Sequence, residues 1–135
     1  MKLQIFVIHS CVPGASLDRV AKSFPKNMKL ILEYIDNDYS IINRTEKKAD
    51  WYCVIYDNEV PDIFLAESLE QQLRENPADA LGIYRKLNAK TASKSIRFFR
   101  KDVKINPERL LPQDENTNID YMLNGWFEEY DPDKV

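Results

Sequence analysis

Asp57 and Glu59 stand one residue apart, directly after the apolar and aromatic run Trp51 to Tyr56. Acids delivered by the end of a strand can hold a divalent cation against a diphosphate, because hard cations take oxygen ligands. Asn58 lies between them and offers only a neutral carbonyl oxygen. The same two acids have a plainer reading. They precede a helical pattern, and a carboxylate there caps the helix and favours its N-terminal dipole. Arg97 and Arg100 are the candidate anion binders, since a guanidinium grips phosphate through paired N–H groups. Their plainer reading is two exposed side chains around a strand and turn. His9, just past an apolar run, is either a ligand contact at a sheet edge or a structural histidine. Tyr84, Phe98 and Phe99, interleaved with lysine and arginine, are either base-stacking rings or core. Trp51 reads as core.

The elements that would position these residues follow from pattern. Leu3 to Ile8 is apolar and β-branched and predicts a buried strand. Pro13-Gly14 marks a turn. Ser16 then caps a short helix with Leu17, Val20, Ala21 and Phe24 at helical spacing, and Pro25 stops it. Met28 to Ile35 predicts a second strand, which Tyr39 to Ile42 continues at the edge after a turn at Asn37-Asp38. Trp51 to Tyr56 suits a strand buried on both faces. Pro61 suits the first turn of a helix that carries Ile63, Leu65, Ala66, Leu69 and Leu73 and ends at Asn76-Pro77. Ala80 to Tyr84, Ser95 to Arg100 and Val103 to Ile105 read as strands, and Tyr121 to Phe127 as a short helix. This order argues for an α/β or α+β domain with a mainly parallel first half.

The 135 residues suit about one domain, with 44% hydrophobic and 30% charged residues. The formal net charge of −3 demotes a dedicated nucleic-acid binder. Three glycines cannot build a phosphate-binding glycine loop. One histidine excludes a multi-histidine metal site. Cys11 and Cys53 lack zinc-ligand spacing and read as buried thiols of a reduced, cytoplasmic or intracellular chain, with a disulfide between them left open. No apolar run approaches the ~18–20 residues of a membrane span. Charge is uneven: Arg85 to Lys104 is basic, and the stretch from Pro107 to Val135 is acidic. Each is read as a solvated face, as a binding surface for an opposite charge, or as a neutraliser of the other.

Asp50-Trp51, the strand to Tyr56, the acids to Glu59, the following helix and strand, and Ile96-Arg97-Phe98-Phe99-Arg100 resemble, in that order, family 2 glycosyltransferases of the GT-A fold. The resemblance implies a small, truncated, GT-A-like (Rossmann-like) mixed α/β sheet flanked by helices over residues 1–106. Residues 107–135 would be an acidic C-terminal extension packed on the domain or on a partner. It also implies sugar transfer from a nucleotide-sugar such as a UDP-sugar with Mn²⁺ or Mg²⁺. Asp57, Asn58, Glu59 and Asp36 would then be the nucleotide or metal candidates, with Asp57 and Glu59 the metal ligands. The match is degenerate. The family's two metal-site aspartates fall on Tyr56 and Asn58, and Glu59 alone keeps its identity. A tyrosine phenol stays protonated near pH 7 and is a poor cation ligand. The expectation is a non-catalytic domain that needs no cofactor and works as a protein-binding or structural subunit of a larger assembly, a viral particle included. The alternative is a small active glycosyltransferase using nucleotide-sugar and metal.

Overall fold

The first apolar run becomes the middle of a parallel sheet. In the computed structural model, which describes residues 1–86 and 90–129, β1 (Lys2–Ile8) pairs in parallel with β2 (Lys29–Ile35) on one side and β3 (Trp51–Tyr56) on the other. Between β1 and β2 lies α1 (Leu17–Ser23), and the Ser16 side chain accepts the Arg19 N–H as its cap. The sheet continues on the far side of β3 with β6 (Ala92–Arg100), β5 (Ala80–Lys86), β7 (Ile119–Glu129) and the short β4 (Glu59–Pro61). Its strand order is β2-β1-β3-β6-β5-β7-β4. β6 is antiparallel to β3 and β5, β5 is parallel to β7, and β4 is antiparallel to β7. The protein is a mixed α/β fold with few helices.

Two apolar layers hold it. On one face, Leu3, Ile5, Cys53, Ile55 and Phe98 meet α1 and α3 (Ile63–Glu75). On the other, Phe6, Tyr52, Val54 and Phe99 lie under Ile42 of α2 (Ser40–Arg44) and under Ile105. Both faces of β1 and β3 are therefore buried, which is why those strands read as unbroken apolar runs.

Several expectations need correction. Tyr39 to Ile42 does not extend an edge strand; it enters α2, because the Asp38 carboxylate accepts the backbone N–H and hydroxyl of Ser40 and turns the chain. Pro61 ends β4 rather than opening α3. Asp62 is the cap, accepting the N–H groups of Phe64 and Leu65. Val103 to Ile105 is not a strand. Ile105 makes one isolated bridge to Pro112, and its backbone is held at both ends by the Asn43 side chain. Tyr121 to Phe127 is not a helix but part of β7, so the chain beyond residue 106 supplies a strand to the same sheet. Asp131 and Asp133 of the acidic end lie outside the described residues. Cys53 is buried, but Cys11 is exposed, and both are free thiols. Burial pushes the Cys53 thiol pKa up. No helix among the described residues is long and apolar enough to cross a membrane.

Candidate functional site

β1, β2 and β3 run in the same direction, so their carboxyl ends share one edge. Ligands of open α/β sheets bind outside such an edge. It carries His9, Ser10, Tyr34, Asp36 and Asp57. Asp57 is the organiser. Its backbone N–H donates to the Ile8 carbonyl (3.0 Å), and its carbonyl accepts the Ser16 N–H (3.1 Å), which fixes the entry to α1. Its carboxylate accepts the Ser10 N–H (3.0 Å), the Ser10 hydroxyl and the Tyr34 hydroxyl (2.7 Å). The His9 ring lies against Tyr34, tilted by 39° with ring centroids 4.1 Å apart, and its Nδ1 lies 3.8 Å from the carboxylate.

Burial alone would raise the Asp57 pKa. The donors from Ser10 and Tyr34, with a smaller contribution from His9, outweigh it and hold the carboxyl below its usual value. The same contact acts on Tyr34. Desolvation first, then the bond to Asp57, pushes its phenol up to about 12. In Asp57→Asn the tyrosine should titrate part of the way back toward 10.0, since the desolvation remains. Spectrophotometric titration reads this directly, and an unmoved Tyr34 would show that Asp57 does not control it.

Glu59 belongs to a different environment. It is 0% exposed. One oxygen accepts the Tyr56 N–H (2.8 Å) and Arg97 Nη1 (2.7 Å); the other accepts Arg97 Nη2 (3.1 Å) and Arg85 Nε. Arg85 also pairs with Glu129. Burial disfavours the Glu59 charge, but Arg97 foremost, then Arg85 and the Tyr56 N–H, reverse the balance and lower its pKa. Arg85 is held above its ordinary value mainly by Glu59, against the opposing pull of burial. The network pins β3, β4, β5, β6 and β7 to one another.

The candidate residues therefore separate. Arg97 is 1% exposed, and the anion it grips is Glu59. Arg100 lies 4.5 Å over the Trp51 ring and donates to the carbonyls of Asn76 and Ala78, closing the end of α3. Trp51 is buried core. Asn58 is half-buried in the turn between the two acids, and Asp36 is exposed just past β2. Among the described residues, no group of three or more His, Cys, Asp and Glu side chains is placed to hold a metal ion. Sequence reasoning missed Ser10, Tyr34, Arg85 and Glu129 as partners of these acids. Arg85 had a readable signal: it continues the alternation Leu81, Ile83, whose side chains face the core.

No family model matches the chain, and no curated protein matches it.

Proposed function

We propose that this protein is a glycosyltransferase-like α/β domain without catalysis, acting as a protein-binding or structural subunit of a larger assembly, such as a viral particle. The observation that carries the reading is the saturation of Glu59. A nucleotide-sugar transferase needs strand-end acids free to hold the cation that bridges the diphosphate. Here both oxygens of Glu59 are taken by two arginines and a backbone N–H, and Asp57 is taken by Ser10 and Tyr34. These residues do not fit a divalent cation.

The ordered set Asp50-Trp51, β3, acidic turn, α3, β5 and Arg97 to Arg100 supports the likeness itself. A binding role draws support from exposed apolar side chains at the start of α3. Ile63 and Phe64 face outward. Phe64 and Trp126 flank a groove of about 500 Å³ that also includes Glu67, Gln71 and Asn124. Exposed aromatic groups beside a groove mark contact surfaces more often than solvated ones.

A second reading, transfer from a nucleotide-sugar, is favoured by the adjoining rings of His9 and Tyr34 beside Asp57 and Asp36 at the parallel strands' carboxyl edge. Isothermal titration with UDP and then GDP, with and without Mn²⁺, separates the two. The expected result is no metal-dependent heat. Metal-dependent binding that disappears in Asp57→Ala would overturn the non-catalytic reading.

A further inference from the structure

The geometry points to the part of the β6, β5 and β7 face that no described element covers as a binding surface for single-stranded nucleic acid, with Tyr84, Tyr121 and Trp126 as stacking rings and Lys86 and Lys94 at the phosphates. This goes beyond the preceding reading; half-buried Trp126, whose ring lies 5.9 Å from that of Phe64, borders both surfaces, and Tyr84, Tyr121, Lys86 and Lys94 belong to this one alone.

Registered partners on neighbouring strands share a face of the sheet. Tyr84 lies opposite Lys94 on β6 and Trp126 on β7; Gly82 lies opposite Ile96 and Tyr121; Lys86 lies opposite Glu128. The second apolar layer covers this face only as far as Ile96, Phe99 and Ala80. Beyond them Tyr84 and Tyr121 are each 41% exposed. A Cβ on Gly82 would overlap the Tyr121 ring, so that ring lies against bare backbone and forms a flat platform. Lys94 Nζ sits between two rings, 5.6 Å from Tyr84 and 5.1 Å from Tyr121. Lys86 Nζ sits 3.7 Å over Trp126. Neither lysine meets an acidic side chain among the described residues.

A cation resting on an exposed ring is weakly held and can be given up to a phosphate, while the ring it leaves becomes free to stack a base. Rings plus cations call for a ligand that is both planar and anionic. A neutral sugar would use the rings but not the lysines. It would also want side-chain carboxylates or amides for its hydroxyls, and on this face Glu128 is already the acceptor for Trp126 Nε1. Because stacking and phosphate contacts carry no sequence information, binding should tolerate many sequences. The chain's net charge of −3 argues against tight binding at high salt, but the local surface is basic and aromatic.

The test is fluorescence anisotropy of a labelled oligothymidylate of about 12 nucleotides with the full chain. Binding is expected at low salt. It should weaken about tenfold in Tyr84→Ala and in Tyr121→Ala, and persist in Tyr84→Phe and Tyr121→Phe, which keep the rings and guard against a folding artefact. In Lys94→Gln the slope of log affinity on log salt should fall by about 0.7. Lys101→Gln, just past the far end of β6, should bind as the parent chain does. No binding at low salt would overturn the proposal. So would equal losses in the Phe and Ala variants. Polyglutamate competing as well as oligothymidylate would also overturn it and assign the face to an acidic protein.

Discussion

Arg97→Ala is expected to destabilise the fold by about 3–5 kcal/mol at neutral pH, the usual cost of leaving one partner of a buried ion pair uncompensated. The substitution removes two bonds to Glu59, a bond to the Val54 carbonyl and one to Ser95. Glu59 is closed off from bulk solvent, and its remaining cation, Arg85, is shared with Glu129. Urea unfolding measures the loss. A change below about 1 kcal/mol would reduce the pair to the level of a surface contact. Lys22→Ala, which breaks the solvent-exposed pair with Asp18, is the matched control and should leave the midpoint in place. The acid limb of the stability curve carries the same information. The folded Glu59 pKa is depressed below the reference of 4.5. Its contribution is therefore fully present above pH 4.5 and lost as the pH falls through the folded value. Glu59→Gln should flatten that limb while lowering stability at neutral pH. Replacing Glu59 and Arg97 together by apolar residues should recover part of the single-variant loss, because no lone charge then remains at the pair.

Local signals were enough for the elements whose apolar pattern is regular. β1, β3, α1, α3, β5 and β6 follow from runs, caps and helical spacing that do not depend on distant residues. β7 did not follow, and the reason is a break in its alternation. Met122 and Phe127 both enter the core layer of α3, while Tyr121 and Trp126 lie opposite Gly82 and Tyr84 on the other face. A separation of five residues between side chains on one face cannot come from a regular strand, and it imitates helical spacing. β4 was hidden for another reason: its partner is β7, about half the chain away. The site shows the same division. Asp57 and Glu59 stood out as acids at a strand end, and Arg97 stood out as a cation. That Glu59 and Arg97 satisfy each other is a property of the folded sheet, which brings the start of β4 against β6. Two candidate sites read separately from the sequence turn out to be the two halves of one ion pair.

The break in β7 makes the second large prediction. Gly125→Ala is expected to destabilise by about 2–5 kcal/mol, combining the cost of a left-handed conformation for an L-residue with overpacking against backbone. Gly125 has φ +93°, and a Cβ there would overlap the N, Cα and Cβ of Leu65 in the first turn of α3. That turn cannot retreat easily, since Asp62 holds it by accepting the N–H groups of Leu65 and of Trp126 (2.9 Å). Gly82→Ala separates the two costs. Its added Cβ would also meet an overlap, but only with the Tyr121 ring, which can swing out toward solvent, and no positive φ is involved. It should lose about 1 kcal/mol or less as an Ala in a strand with a movable neighbour. Comparable urea midpoints for the two variants would sink the account of Gly125. If the losses differ as expected, the damage at Gly125 should also spread along β7. Phe127 packs on Phe98 at 5.9 Å, and Glu129 pairs with Arg85. A displaced turn at Gly125 pulls both out of register with β4. The acid limb assigned to Glu59 should therefore weaken in Gly125→Ala and stay intact in Gly82→Ala, where β7 beyond the break is untouched.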